Sequence, residues 1–348
     1  MNHAADRAET MTYPPGALMA CWYPTHAASQ DDARVAKNRP PLMEIPLFDL
    51  NELASLREYA QTLDEQSGPR LQALLKQLDE AGRLVPLAPA VDPDRVLALE
   101  HVFPNFTEVL EEIALHLGLA RIAAGDQAGL SIPPILLVGP PGVGKTFFTR
   151  KLCEALGTSF FETSLSSNSA GFILSGLDMG WSNGKPGLVF RTLLESPVAN
   201  PLILLDEIDK ASSGLNSDPL GALYGLLERH SAARFRDEAV TLPMDASHLL
   251  WVATANSLDG IPEPLLSRMT VFEIPLPAPE QSASIALGIW QNLRETNAWG
   301  RHLDAHLPAA VLDCLRGEAP RIMAKRLTRA AGRAVLDGRT ALALSDMR

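Results

Sequence analysis

The stretch PILLVGPPGVGKTFFTRKLCEAL, residues 134–156, decides the fold. An apolar run predicts a buried strand, a glycine-rich octet follows the pattern G-x-x-x-x-G-K-[ST], and the residues after it have helical periodicity. Such a loop wraps backbone N–H groups around a polyphosphate, and the helix N-terminus adds a favourable dipole. Lys145 is predicted to reach the β- and γ-phosphates, and Thr146 to ligate Mg²⁺. The predicted binding residues are Gly139, Pro140, Pro141, Gly142, Val143, Gly144, Lys145 and Thr146.

A second, acidic signal follows in PLILLDEIDK, residues 201–210. An apolar run that ends in two acids is typical of a buried strand that brings carboxylates to its C-terminal tip, where open α/β sheets bind ligands. Asp206 is predicted to hold the hydrated Mg²⁺, and Glu207 to orient and polarise an attacking water. Taken alone, the two acids could instead cap the next helix. The phosphate loop upstream favours the catalytic interpretation.

Short apolar runs alternate with helical patterns from Pro134 to about Ile274, which predicts an α/β fold with a parallel sheet. After IPLPAPE, residues 274–280, the pattern is helical to the end of the chain. The predicted strands are PILLV, SFFETSL, PLILLDE and HLLWVATAN. The predicted organisation is an irregular N-terminal tail (1–45), a small, mostly helical N-terminal region (46–100), a nucleotide-binding α/β domain (101–275) and an all-helical C-terminal lid (276–348).

Sequence signals mark where two helices that precede the first predicted strand begin or end. In SGPRLQALLKQLDEAGR, residues 67–83, four leucines share one face, with proline in the first turn and glycine at the exit. Asn105 and Glu108 have the spacing of a capping box, so a second helix is predicted to begin at Asn105. The leucines of the first helix are Leu71, Leu74, Leu75 and Leu78.

Composition narrows the functional classes. The chain has 348 residues and a formal net charge of −11, which argues against a broad nucleic-acid surface but leaves room for a local basic patch. Its 3 cysteines are far apart and predict neither a disulfide framework nor a cysteine-rich metal site. The apolar runs are too short to span a membrane, and no secretory signal is recognisable. A cytoplasmic protein without membrane partners is expected.

Four motifs in this order and spacing resemble the AAA+ ATPases: GPPGVGKT, LLDEIDK, VATANS and PEPLLSRM. Within that family the chain most resembles the ATPase module of Lon protease, because SSGLNSDPLGALYGLLE, FRDEAVTLPMD and NSLDGIPEPLLSRMTVFEI are similar to Lon segments. The resemblance covers about residues 100–335. It implies a P-loop AAA+ parallel sheet core flanked by helices, a C-terminal helical lid, and ATP and Mg²⁺ as cofactors.

The resemblance also assigns roles to three further residues. Asn256 matches the sensor-1 residue that helps to place the lytic water, Arg268 the arginine finger that reaches a neighbouring subunit's γ-phosphate, and Arg321 the sensor-2 arginine of the lid. The alternatives are a buried amide that satisfies a turn, a surface arginine and a lid salt bridge. A finger supplied between subunits implies a homo-oligomer, and the family implies a hexameric ring.

Trp181 stands in the glycine-rich stretch GLDMGWSNGKPGLVF, residues 176–190. The resemblance places it at the aromatic position of a loop that faces the central pore of the ring and grips an extended polypeptide. Large flat side chains provide contact area with few rotors to immobilise. Ser182 departs from the family, which usually has an apolar residue there. The alternative is that Trp181 packs on its own subunit or on a neighbour and contacts no substrate.

These assignments predict an ATPase that remodels or threads protein substrates without a peptidase of its own. The Ser–Lys protease domain that follows the Lon lid is expected to be absent, and NSAG (168–171) is treated as coincidence. The pair His302 and His306 is expected to lie on a solvated or partly packed helix face. Alternatives are a nucleotide-switched scaffold that recruits a partner through residues 1–100, and a nucleic-acid remodeller that uses the i+4 stripe Arg321, Lys325, Arg329 and Arg333.

Overall fold

The computed structural model describes residues 43–63, 67–165, 172–181, 183–211 and 220–348. These residues belong to one compact unit, Leu42–Arg348. Most of the predicted N-terminal tail lies outside them, although Glu44 and Ile45 form part of a strand. The segment NSAG and residue Ser182 also lie outside the described residues, as does the first half of the Lon-like segment SSGLNSDPLGALYGLLE.

The described residues form both strands and helices. The strands are β1 Glu44–Pro46, β2 Leu84–Pro86, β3 Ile135–Val138, β4 Phe160–Ser164, β5 Leu202–Asp206, β6 Phe235–Arg236, β7 Pro243–Met244, β8 Leu250–Ala255 and β9 Thr270–Glu273. The helices are α1 Leu50–Thr62, α2 Ser67–Ala81, α3 Pro93–Leu97, α4 Thr107–Ala124, α5 Lys145–Leu156, α6 Leu188–Glu195, α7 Gly221–Leu226, α8 Arg229–Ala232, α9 Glu263–Leu266, α10 Ser282–Thr296, α11 Ala309–Asp313 and α12 Pro320–Leu336.

A five-stranded parallel sheet forms the centre of the molecule, in the order β4-β5-β8-β3-β9. Its central strands are apolar on both faces, as expected for a parallel sheet covered by helices on both sides. In β5, Leu202 and Leu204 pack into one core while Ile203 and Leu205 pack into the other. The predicted α/β fold is therefore confirmed. The four predicted strands are β3, β4, β5 and β8, and the edge strand β9 was not among them.

The direction of the strands positions the candidate site. Because β3, β5 and β8 are parallel, their carboxyl ends meet at one edge, and the register pairs Val138 with Ala255 and Leu205 with Ala253. The phosphate loop, Asp206 and Asn256 follow directly from these ends. Three predictions made on separate sequence segments thus converge on one place in the fold.

The lid has a hydrophobic core of its own. Helices α10 and α12 pack together, and Trp290, Met323 and Leu327 are fully buried between them. The indole N–H of Trp290 donates to the carbonyl of Asp304 at 3.0 Å, so its polar group is satisfied inside that core. Among the described residues, none of the helices is long and apolar enough to cross a membrane.

Residues 44–86 pack against the central sheet. Strands β1 and β2 pair antiparallel, and α1 and α2 form a helical hairpin whose Leu71, Leu75 and Leu78 enter the same core as one face of the central sheet. Helix α2 ends before Gly82, which has φ +82°, as the predicted exit glycine requires. The segment is therefore mostly helical with one small antiparallel pair of strands, and its apolar residues are continuous with the core of the α/β domain.

Two local predictions are wrong. The helix predicted from Asn105 begins at Thr107, and Asn105 donates to the carbonyl of Pro275 rather than capping a helix, because a 3₁₀ turn precedes the helix. His302 ends a short 3₁₀ turn and His306 precedes α11, so the two histidines do not share a helix face. The described residues contain no cluster of histidine, cysteine and carboxylate side chains that could hold a metal ion.

Candidate nucleotide-binding site

A cleft of about 360 Å³ opens between the carboxyl edge of the sheet and the lid. One wall carries charged and polar groups and the other is mostly apolar, a division suited to a ligand with a polyphosphate end and an uncharged end. The polar wall comprises Gly142, Gly144, Lys145, Thr146, Asp206, Glu207, Thr254 and Asn256. The lid contributes Ile289, Asn292, Leu293, Pro320, Arg321 and Ala324.

Lys145 is held at the mouth of the phosphate loop. Its ammonium donates to the carbonyl of Gly139 at 2.6 Å, to that of Pro140 at 3.3 Å and to the side-chain oxygen of Asn256 at 3.3 Å. Burial lowers the pKa of Lys145, and the nearby carboxylates, Asp206 first, oppose that effect. All three N–H groups of the ammonium donate to uncharged oxygens. Charged oxygens of a bound phosphate can take the place of these acceptors.

Thr254 links the two predicted acids. The Thr146 hydroxyl donates to both carboxylate oxygens of Asp206, at 3.2 and 3.3 Å. The hydroxyl of Thr254 also donates to Asp206, and it accepts the backbone N–H of Glu207 at 3.0 Å. Sequence reasoning did not assign Thr254, although it is a buried hydroxyl in the otherwise apolar strand LWVATA.

Glu207 has a backbone conformation that few side chains adopt. Its φ of 57° and ψ of 50° lie in the left-handed region, which costs about 1 kcal/mol or more for a residue other than glycine. The hydrogen bond to Thr254 and the turn that follows β5 hold this conformation. The carboxylate makes an ion pair with Lys210, a residue that the sequence analysis also left unassigned.

Asn256 is fixed through its backbone as well as its side chain. Its N–H donates to a carboxylate oxygen of Asp209 at 3.1 Å, while its side-chain oxygen accepts from Lys145. The other carboxylate oxygen of Asp209 is buried without a hydrogen-bond partner in the described part of the chain. Asp209 is thus a third acid of the LLDEIDK motif, and its carboxylate binds the backbone N–H of the predicted sensor residue.

Arg321 joins the lid to the phosphate loop. Its backbone N–H donates to the carbonyl of Gly142 at 3.2 Å, and the residue lines the cleft. Gly142 has φ +84°, and a Cβ there would stand 3.0 Å from the Cβ of Arg321. Glycine is therefore required at this position both by its backbone conformation and by the close approach of the lid. Arg321 therefore lines the cleft from the lid, and its sensor role remains a prediction.

Arg268 is not part of the cleft of its own protomer. It follows α9, near the start of the edge strand β9, and contacts Glu228 and the carbonyl of Pro264. Its guanidinium is partly exposed. The structure brings the phosphate loop, Asp206, Glu207, Asn256 and Arg321 together within one chain, and it leaves Arg268 apart from them.

The residues of this cleft fit a polyphosphate with Mg²⁺. The loop offers a buried ammonium beside backbone N–H groups, and a hydroxyl and a carboxylate 3.2 Å apart are the oxygen ligands that Mg²⁺ prefers. Thr146 and Asp206 are the side chains that would hold the ion, and the loop from Gly139 to Thr146 would hold the phosphates.

Comparison with known proteins agrees with this geometry. The family model described as "ATPase family associated with various cellular activities (AAA)" matches residues 135–276. Those residues are an AAA+ module. The family resemblance inferred from the sequence is confirmed.

Among curated proteins, the module resembles Lon proteases. Lon protease 2 of Herpetosiphon aurantiacus is 37% identical over 178 residues, which are 51% of this chain and 21% of that protein. The Lon protease of Nitrosococcus oceani is 31% identical over 261 residues, 68% of this chain and 33% of that protein. The peroxisomal Lon protease homolog 2 of Kluyveromyces lactis is 39% identical over 169 residues, 46% of this chain and 17% of that protein. The chain thus spans a third or less of the length of these relatives.

Among solved structures, the fold is similar to a closed-state cryo-EM reconstruction of Hsp104 with ATPγS and FITC casein. The TM-score is 0.54 with 16% sequence identity, and the match covers 71% of this chain and 48% of that one. At this identity the similarity supports the fold of the AAA+ module alone.

The AAA+ module presents Trp181 on a closed loop. Leu177 and Lys185 exchange two backbone hydrogen bonds, of 2.9 and 3.1 Å, and close the loop at its base. Inside it the Trp181 N–H donates to Asp178, and the carbonyl of Trp181 accepts from Gly184. The indole is 64% exposed, so its own protomer does not bury it. A loop that is closed at its base and exposes a tryptophan suits a gripping role, and this role remains a prediction.

A buried carboxylate, Asp237, ties the two ends of this loop together. It accepts the N–H of Gly187 at 2.7 Å and that of Ala239 at 2.9 Å, and it is 1% exposed. A Cβ at Gly176 would stand 2.5 Å from its carboxylate, so the other end of the loop packs directly on it. Burial raises the pKa of Asp237 to about 6, against the opposing effect of the N–H donors.

Asp237 should make the stability of the chain depend on pH. Folding raises the pKa of this group from 3.8 to about 6, so in that window the folded chain binds the proton more tightly than the unfolded chain. The stabilisation from the protonated form is present at low pH and is lost as the pH rises through about 6. Between about pH 5 and about pH 7 the free energy of unfolding should fall by about 1 kcal/mol more in the parent chain than in Asp237→Asn.

Urea unfolding of both chains at several pH values measures that difference. The control is Asp79→Asn, which removes an exposed carboxylate on α2 that pairs with Arg57. Equal pH dependence in the parent chain and Asp237→Asn would contradict the assignment.

Proposed function

We propose that this chain is a Mg²⁺-dependent ATPase that works in an AAA+ ring and couples hydrolysis to remodelling or threading of protein substrates. The observation that carries the proposal is the convergence of the phosphate loop, Asp206, Glu207 and Asn256 on one cleft that a helical lid covers. Each of these groups has a role at a single reacting phosphate, which is the arrangement that an ATPase site requires.

The chemistry follows from the positions of the side chains. Lys145 binds the β- and γ-phosphates after exchanging its carbonyl partners for phosphate oxygens. Glu207 accepts the proton of the attacking water, and the amide of Asn256 orients that water. Thr146 and Asp206 would hold Mg²⁺, which would supply neutralisation of developing charge on the phosphate oxygens. The contact of Arg321 with the phosphate loop couples closure of the lid to the occupied site.

A second copy of the chain completes this site in the proposal. Arg268 lies outside its own cleft and its guanidinium is partly exposed, so it is available to a neighbouring protomer. Contacts of this kind run head to tail, and they close into a ring when the rotation between copies allows it. We propose six copies, as the family resemblance implies, and the cytoplasmic location expected from the sequence.

The experiment that tests the proposal measures ATP hydrolysis with and without an unfolded protein such as casein. The expected results are Mg²⁺-dependent turnover that rises with casein and no casein cleavage by this chain alone. Turnover that nucleic acid stimulates and casein does not would favour a nucleic-acid remodeller. Absence of turnover in an assembled, ATP-bound preparation would contradict the proposal.

Trp181→Ala should weaken substrate grip while leaving the nucleotide site intact. A tryptophan that becomes buried against a bound partner contributes about 2 kcal/mol or more to binding. The casein concentration for half-maximal stimulation should therefore rise about 30-fold. Basal turnover should stay at the parental value because Trp181 lies outside the residues that line the cleft. The measurement is a casein titration of ATPase activity.

The matched control is Tyr59→Ala, which removes another exposed aromatic side chain, on α1. This change should leave the titration curve unaltered. If Trp181→Ala and Tyr59→Ala both gave the parental curve, the loop would not be the gripping element.

One contact favours a second function, a nucleotide-switched scaffold. The Ser67 hydroxyl at the start of α2 donates to the carbonyl of Met179 at 3.3 Å, so the N-terminal hairpin touches the Trp181 loop directly. A change in that loop could therefore alter a partner-binding surface on α1 and α2. A switch would keep nucleotide-dependent partner binding in the Trp181→Ala chain, whereas a threading motor would lose its substrate response.

A further inference from the structure

The guanidinium of Arg268 is held by Glu228 and by the carbonyl of Pro264. Its Nε donates to Oε1 of Glu228 at 2.9 Å, and one of its terminal nitrogens, Nη2, donates to the same oxygen. The other terminal nitrogen, Nη1, donates to the carbonyl of Pro264. Three hydrogen bonds thus fix the plane of the side chain, even though it is partly exposed.

Glu228 is itself held in place. Its backbone N–H donates to Gly225 at 3.3 Å, and its carbonyl accepts from Ala232 at 2.9 Å, so it joins α7 to α8. Its second carboxylate oxygen is 3.5 Å from the hydroxyl of Ser231. The segment that carries Glu228 therefore presents its carboxylate in one orientation.

These hydrogen bonds use only some of the N–H donors of the guanidinium. Arginine has five N–H donors in a planar fork, and three of them are used here. Among the described residues, one N–H on each terminal nitrogen has no hydrogen-bond partner, and the N–H groups of a guanidinium are suited to phosphate oxygens. Glu228 thus holds the edge formed by Nε and Nη2, while both terminal nitrogens keep a donor for another acceptor.

We infer that Glu228 is a positioning residue that presents Arg268 to the γ-phosphate held by the next protomer. The inference rests on the proposed function, because it needs a site shared between two copies. Glu228 acts through Arg268 and touches no nucleotide of its own protomer, since it is absent from the described residues that line the cleft. The sequence analysis gave it no role.

Glu228→Ala should lower kcat about 10²-fold, since a misplaced catalytic group costs on that order, while KM for ATP stays within about twofold. Glu228→Gln keeps an oxygen acceptor for Nε and should fall between Glu228→Ala and the parent chain. The control is Glu52→Ala, which breaks the exposed ion pair with Arg234 elsewhere on the protomer. Its kcat should match the parental value.

Mixed rings separate positioning from a structural role. Lys145→Ala protomers cannot turn over ATP but carry an intact Arg268 and Glu228. In a large excess of Lys145→Ala, each Glu228→Ala site should receive an intact finger, and turnover per Glu228→Ala protomer should return to that of parental protomers diluted in the same way. An excess of the double variant Lys145→Ala/Glu228→Ala should give no recovery.

The outcomes are distinguishable. Recovery of Arg268→Ala sites but not of Glu228→Ala sites by Lys145→Ala would overturn the role of Glu228 and leave the proposed function standing. Failure to recover Arg268→Ala sites would overturn the shared site itself. Size-exclusion chromatography with light scattering confirms assembly of each mixture. If Glu228→Ala did not assemble, the same mixing with Glu228→Gln would decide the question.

Discussion

Glu207→Gln is expected to bind ATP with the affinity of the parent chain and to turn it over about 10²–10⁴ times more slowly, the usual contribution of a general base. Glutamine has nearly the same shape as glutamate but cannot accept a proton from water. The backbone of residue 207 should keep its left-handed turn, because Thr254 holds it through the main-chain N–H rather than the side chain.

The ion pair with Lys210 sharpens this expectation. In the structure Lys210 binds the carboxylate of Glu207, and the hydrogen bond raises the pKa of Lys210. Glu207 must turn from Lys210 towards the water to act as a base, and the neutral amide introduced by Glu207→Gln would lack the charge for either contact. The loss should therefore appear in kcat, with ATP affinity unchanged.

Two measurements check this prediction: steady-state phosphate release, and equilibrium binding of a fluorescent ATP analogue. The matched control is Glu162→Gln, which neutralises a carboxylate on the neighbouring strand β4 that pairs with Arg150. Its rate should be parental. Parental turnover in Glu207→Gln would remove Glu207 from the chemistry, whereas lost binding would show that the substitution disturbs the phosphate loop.

A trapped ATP state also serves to find partners. Rings of Glu207→Gln that hold ATP should retain a protein substrate, because release is expected to follow hydrolysis in a threading ATPase. Co-purification from the native host with ATP would identify that substrate. Recovery of the same proteins with Lys145→Ala would show that they bind independently of nucleotide.

The elements that could be predicted from the sequence are those governed by local patterns. The P-loop octet, the apolar run before Asp206 and the strand that ends at Ala255 each have a pattern that few other structures share, and their parallel arrangement brings their ends together. The leucine face of α2 and the glycine that follows the helix could likewise be predicted from the sequence. In each of these segments a local sequence pattern is enough to predict the element.

Other features depend on contacts between distant segments. The Asn105 cap was wrong because Asn105 bonds to Pro275, 170 positions away, a partner that no local pattern contains. Strand β9 is short and lies at the edge of the sheet, so its alternation is weak. Thr254, Asp209 and Glu228 gain their significance only from what stands beside them: Asp206, Asn256 and Arg268.

Arg268→Ala is expected to lower kcat by about 10³–10⁵-fold, with ATP affinity little changed. Arg268 lies outside its own cleft and is held by Glu228, so in the proposed ring its guanidinium stabilises transition-state charge on a neighbour's phosphate. A fall of that size corresponds to about 4–7 kcal/mol of transition-state stabilisation. The control is Arg234→Ala, which removes an exposed arginine paired with Glu52.

Protein concentration provides the decisive measurement. Turnover per protomer of the parent chain should rise with concentration as rings assemble, and the midpoint of that rise should coincide with the assembly midpoint from light scattering. Arg268→Ala should assemble over the same range but show no such rise, because its sites gain a neighbour without gaining a guanidinium. Turnover independent of concentration in a chain that stays a single protomer would show that the site is complete without a second copy, and Arg268 would then be an ordinary surface arginine.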